Sequence, residues 1–140
     1  MCIDAISALG EGDVLISGGG AQEAKDKVVQ HNGRGTVTIQ DYTVVNVGKL
    51  YRSCGDCTGN GGPRNVVVDG VQAAGVKSDL VGINSNFGDT ATISNSCGDG
   101  VDSVCQEYVG VEKGDGDSEK VDSQDSCLGD QGKIAELPAC

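Results

Sequence analysis

The sequence predicts an all-β chain wound as a parallel β-helix. Three observations carry that expectation. Apolar residues come in short runs and not at helical spacing. The runs recur at coil-like intervals. A turn former stands at the same offset after each. Composition agrees: 23 glycines and only four Phe or Tyr residues in 140 suit short strands and tight turns better than a helical bundle. That length makes one domain, 1–140.

The first run is Val14–Ile16, followed by Val37–Ile39, Val66–Val68 and Ala91–Ile93. Their last members, Ile16, Ile39, Val68 and Ile93, are separated by steps of 23, 29 and 25 residues. Two residues beyond each lies Gly18, Asp41, Gly70 or Asn95, all residues that tolerate a tight turn. A second series lies between the first: KVVQ, KLYR and DLVG place Val28, Leu50 and Leu80 at steps of 22 and 30. Two interleaved series at this spacing describe coils whose strands stack on their equivalents in the next coil. Unequal steps require loops of different length. An antiparallel sandwich, which also uses short strands and glycine-rich turns, is the competing arrangement. From Gly110 to Cys140 the chain is polar and reads as a loop or wrapping tail.

A net charge of −11 argues against nucleic acid, whose backbone needs a basic surface, and against an anionic membrane. No stretch is long enough to span a bilayer. Seven cysteines without zinc-finger spacing point to disulfides and an extracellular, secreted setting. No signal peptide is visible after Met1, and the cysteine number is odd; both lead to the expectation that coils upstream are missing. CGDC, Cys54–Cys57, has redox spacing, but it follows a strand and precedes TGNGG; a structural disulfide is expected. Cys97 with Cys105 and Cys127 with Cys140 are the expected remaining pairs, leaving Cys2 over.

Within this acidic chain, Lys27 and Lys49 precede Val28 and Leu50 at the same rung position. Stacked strands lie about 4.8 Å apart, so two ammonium groups there repel unless an anion lies across them. A solvated face neutralised by acidic neighbours is the alternative. Arg52 lies three residues past Lys49, off the same face of an ideal strand. Its return beside the lysines predicts that the strand ends near Tyr51. His31, the only histidine, reads as a turn or ladder position. Asn84 and Asn86 read as a ladder that satisfies backbone groups. Asp115, Asp117 and Glu119 look like a fragment of a calcium loop, but lack its twelve-residue pattern and read as a solvated acidic loop. The glycines at 18–20 lack the Gly-Lys-Ser/Thr continuation of a phosphate loop.

At these residues a resemblance enters. Asp26–Cys57, DKVVQHNGRGTVTIQDYTVVNVGKLYRSCGDC, resembles the signature region of the small secreted pectate lyases of polysaccharide lyase family 3. LVGINSNFGDTATI, Leu80–Ile93, resembles a second family block, CIDA at the start a third, and VCQEYVGVEKGDGDSEK the C-terminal region of microbial eukaryotic members. The resemblance covers essentially the whole chain. It implies a right-handed, single-stranded, pectin-lyase-like parallel β-helix, secretion, dependence on Ca2+, and β-elimination of α-1,4-polygalacturonate (pectate). It further implies that Arg52 matches the catalytic base, Lys27 and Lys49 the substrate-binding lysines, and Asp4 a calcium ligand. Ile3 replaces the family glutamate, and a further acidic ligand belongs on an upstream coil. The expected state is a monomer. A fold relative that binds pectin without cleaving it is the alternative, favoured by Ile3 and the abrupt start.

Overall fold

A computed structural model of the chain describes residues 4–140. Thirteen strands wind as a right-handed solenoid of about four coils. They are β1 (Asp4–Ala8), β2 (Val14–Ser17), β3 (Gly20–Gln22), β4 (Lys27–His31), β5 (Gly35–Gln40), β6 (Thr43–Val47), β7 (Lys49–Ser53), β8 (Arg64–Asp69), β9 (Gln72–Asn84), β10 (Ala91–Ser94), β11 (Cys97–Val109), β12 (Glu119–Val121) and β13 (Cys127–Leu128). A short 3-10 turn at Ser85–Phe87 follows β9.

Three parallel faces result. One stacks β2, β5, β8, β10 and β13. A second stacks β3 and β6 on the first half of β9 and of β11. The third stacks β1, β4, β7 and the second halves of β9 and β11. The long strands β9 and β11 therefore round the corner that separate strands make on earlier coils.

The two apolar series are the registers themselves. Ile16, Ile39, Val68 and Ile93 are successive partners, and the last three are fully buried. Val28, Leu50 and Leu80 stack at 0% exposure in the third face. Burying a Val, Ile or Leu side chain contributes about 1.5–3 kcal/mol. A column in which every coil supplies one such residue fixes the rung against slippage. The turn positions follow the same logic. Gly18, Asp41, Gly70 and Asn95 all have positive φ, between 51° and 75°. Glycine meets that need without strain, while Asp and Asn tolerate it better than other side chains.

The region after Gly110 is not only a loop. β12 pairs antiparallel with β11, and β13 extends the stack of β10. Disulfides Cys54–Cys57, Cys97–Cys140 and Cys105–Cys127 are formed. The pairs expected as Cys97–Cys105 and Cys127–Cys140 are thereby corrected. Cys97 and Cys105 lie on the one strand β11. At about 3.3 Å per residue they are separated by far more than the roughly 7 Å limit for a disulfide. Cys97 instead faces the chain end, with Cα atoms 4.9 Å apart. Cys2 and Ile3 lie outside the described residues.

Candidate functional site

The third face carries the basic residues. Register places Asp4, Lys27 and Lys49 in one column, on β1, β4 and β7. The next coil adds Asp79, because Tyr51 pairs with Val81 and Arg52 with Gly82. The column therefore runs acid, base, base, acid. Each lysine has a carboxylate neighbour. Lys27 Nζ contacts Asp26 Oδ2 and lies 3.9 Å from Asp4 Oδ1. Lys49 Nζ donates to Asp79 Oδ2 at 2.8 Å, to Ser78 Oγ at 2.7 Å and to Tyr108 Oη at 3.3 Å.

Arg52 joins Lys49 by a route that the sequence did not suggest. β7 does not end near Tyr51; it runs to Ser53. Leu50 and Tyr51 are both fully buried, so two consecutive residues enter the core. The same doubling occurs at Val28–Val29, Leu80–Val81 and Val104–Cys105. It breaks the two-residue alternation and returns Lys49 and Arg52 to the outer side together. The Arg52 guanidinium lies over the Tyr108 ring, with Cζ 3.8 Å from the centroid. The Lys49 ammonium is 5.7 Å from the same centroid. Gly82 permits this stack: a Cβ there would stand 2.8 Å from Arg52 Cδ and 3.1 Å from Tyr108 Cε2.

Arg52 is only 7% exposed. Its Nη1 donates to Ser53 O (2.8 Å) and Asn84 Oδ1 (2.9 Å), and its Nη2 to Ser118 Oγ (2.9 Å). Burial lowers its pKa from the ordinary guanidinium value, opposed by the neighbouring Tyr108 hydroxyl and the carboxylates of Asp79 and Asp89. Burial, reinforced by the hydrogen bond to Asp79, raises the Tyr108 phenol.

Beneath Arg52 lies a buried polar knot. Asp89, at 0% exposure, accepts from Ser53 Oγ, Arg64 N and Asn84 N at 2.7, 2.8 and 2.9 Å. Arg64 is itself buried and donates to the carbonyls of Gly33, Asn32 and Cys54 and to Asn60 Oδ1. Asn84 donates to Cys54 O, and Asn86 exchanges two hydrogen bonds with the Gly110 backbone. Both asparagines therefore satisfy backbone groups of neighbouring segments, though they do not stack on each other.

His31 is buried, with Nδ1 2.7 Å from Tyr51 Oη, away from the lysine column's outer side. Burial, then the charge of Arg64, lowers its pKa from 6.5. The unfolded chain therefore takes up the proton first as pH falls. The stability that neutral His31 contributes is whole above about pH 6.5 and is lost as pH drops below it toward the lower folded value. The thermal midpoint should fall more between pH 7 and pH 5 in the wild type than in His31→Gln. Equal slopes would remove His31 from this account.

Among the described residues, no group of three or more His, Cys, Asp or Glu side chains is arranged to hold a metal. Two buried carboxylate oxygens lack a hydrogen bond among the described residues, Asp4 Oδ1 and Asp79 Oδ1, and the second has Lys120 Nζ 3.8 Å away. Asp4 Oδ1 suits a hard cation, since carboxylate oxygen is what calcium takes. Asp26, across Lys27, is the neighbouring carboxylate. Asp115 and Asp117 are exposed and join neither.

Sequence reasoning missed Asp79, Tyr108, Ser118 and Arg64. A signal for Asp79 existed: the steps of 22 and 30 that align Val28, Leu50 and Leu80 also align Lys27, Lys49 and Asp79. Tyr108 reaches the site from another coil and Ser118 from the segment after β11, both outside that spacing.

The family model described as "Pectate lyase" matches residues 1–115. Pectate lyase H of Emericella nidulans is 52% identical over 132 residues, covering 91% of this chain and 50% of that relative. The solved structure of pectate lyase Pel3 from Pectobacterium carotovorum superposes with a TM-score of 0.83 at 37% identity, over 94% of this chain and 46% of that one. Pectate lyase PelI from Erwinia chrysanthemi, solved in complex with tetragalacturonic acid, gives 0.76 at 33% identity, over 97% and 54%. The chain thus spans about half the length of the relatives it matches. With the coil registers and the length of the match in agreement, the chain belongs to the pectate lyase family.

Proposed function

We propose that this protein is a secreted, monomeric, calcium-dependent pectate lyase that cleaves α-1,4-polygalacturonate by β-elimination. The observation that carries the reading is the column Asp4, Lys27, Lys49 with Arg52 returned beside it. It places three cations on one outer face of a chain whose net charge is −11. The relative solved with tetragalacturonic acid supports the substrate class, and three disulfides support an extracellular setting.

Elimination removes the proton at C5, alpha to the uronate carboxylate, forms the C4=C5 double bond and breaks the C4–O4 bond, the leaving oxygen taking a proton from solvent water. Lys27 and Lys49 hold the carboxylate and stabilise the negative charge that spreads onto it as the proton leaves. Asp4, with Asp26 beside it, would hold calcium, which when bound would neutralise that carboxylate further. Arg52 takes the C5 proton. A guanidinium is a poor base in water, and burial shifts Arg52 in the direction that this role needs. The Ser118 hydroxyl on Nη2 must yield for substrate to approach.

Purified protein with polygalacturonate should generate the ultraviolet absorbance of unsaturated uronate ends when calcium is present, and none after chelation. A second reading rests on one observation: Arg52 is nearly enclosed and bonded to three acceptors. A chain locked in that state binds pectate without cleaving it. Calcium-dependent retention on a pectate matrix with no absorbance change would select this second reading. Absorbance that persists through chelation would remove calcium from the first.

A further inference from the structure

Asp79 is a carboxylate at 0% exposure, and an enclosed charge is costly unless compensated. The coil does not require an acid at this rung, since the adjoining positions in the column are Lys49 and Ser103. What surrounds Asp79 is specific. Lys49 Nζ and Tyr108 Oη both donate to Oδ2, and Lys120 Nζ lies 3.8 Å from Oδ1.

Tyr108 has two separable parts. Its hydroxyl joins Asp79 and Lys49. Its ring supports the Arg52 guanidinium in the slot left by Gly82. One rigid residue therefore spans two flexible cations that come from the same strand.

We propose that Asp79 and Tyr108 are positioning residues that set Lys49 and Arg52 side by side, the Lys49 ammonium for one uronate carboxylate and the Arg52 side chain for the C5 proton next to it. This rests on the pectate reading above. Lysine has a long, mobile stem; three acceptors fix its ammonium before substrate arrives. The 3.3 Å contact to Tyr108 is the longest of the three. An incoming carboxylate oxygen displaces that one, while Asp79 keeps the phenol in place.

The test uses Tyr108→Phe, which keeps the ring and loses the hydroxyl, Tyr108→Leu, which loses both, and Asp79→Asn, which loses the charge. Tyr42→Phe, outside the site, is the control. Each is measured for kcat and KM on polygalacturonate with calcium, for affinity for trigalacturonate by calorimetry, and for thermal midpoint.

Because misplacement of about 1 Å can cost up to a hundredfold in rate, and because the misplaced ammonium also holds the bound carboxylate, Tyr108→Phe and Asp79→Asn should lower kcat about tenfold and raise KM by about as much. Tyr108→Leu should lose about a hundredfold. Phe should therefore rescue part of the Leu defect, with its folded fraction intact. The proposal is overturned if Phe and Asn retain kcat near the wild-type value, or if their losses only track unfolding. If the wild type binds trigalacturonate without cleaving it, the lyase reading fails, and affinity decides. About tenfold weaker binding in Tyr108→Phe supports the pair, and unchanged binding overturns it. A folded wild type that neither cleaves nor binds overturns both.

Discussion

Arg52→Ala is expected to reduce formation of unsaturated product by at least about a hundredfold, since a positioned proton-transfer group contributes roughly 10²–10⁴ in rate. The loss has two physical parts. The group assigned to the C5 proton disappears, and one cation of the outer face goes with it. The substitution also leaves Ser53 O, Asn84 Oδ1 and the Tyr108 ring without their partner. Unpaired buried acceptors cost about 1–3 kcal/mol, so the variant should melt lower and still fold. Arg52→Lys separates the two parts. It keeps a positive charge but cannot span Asn84 and Ser118 with a planar fork. It should recover stability better than activity. If folded Arg52→Ala retains activity within a few-fold of wild type, the arginine is not the base, and the second reading of Arg52 as a structural fork takes its place.

The largest expected loss of stability is at Asp89. Its carboxylate joins Ser53 of β7, the first residue of β8 and the last residue of β9. Asp89→Ala removes the acceptor of one hydroxyl and two backbone N–H groups in a dry interior. The cost should be about 3–5 kcal/mol, among the larger single-residue effects. In a chain of this size that lowers the thermal midpoint by on the order of 10 °C. Denaturant unfolding should show a lower midpoint with unchanged slope. Asp89→Asn retains one acceptor oxygen and should fall between. A loss under about 1 kcal/mol for Asp89→Ala would mean that water replaces the carboxylate. Activity should fall with Asp89→Ala even where the protein is folded, because Asn84 and Ser53, released from Asp89, are the groups that hold Arg52 Nη1.

Both variants probe a site that was half legible in the sequence. The fold followed from spacing, because a stacked coil repeats its inward side chains at the length of the coil. Ile16, Ile39, Val68 and Ile93 marked one face, and Val28, Leu50 and Leu80 another. The same arithmetic put Lys27 over Lys49. Arg52 could be named by resemblance, but not placed. Its return to the lysines depends on two consecutive core residues, Leu50 and Tyr51, and a strict strand alternation excludes that.

The sequence alone determined the parallel coil, its turn positions and the column of lysines, since each is a property of residues one coil apart. The tertiary structure decided what those lysines touch. Asp79 lies in their spacing, but its burial and its bonds depend on Tyr108 from the next coil. Ser118 reaches Arg52 from the segment after β11. The pairings Cys97–Cys140 and Cys105–Cys127 likewise depend on where the C-terminal segment returns. Periodicity reports neighbours along the stack, whereas contacts made by side chains that reach across coils, or by a segment wrapped over them, leave no period to read.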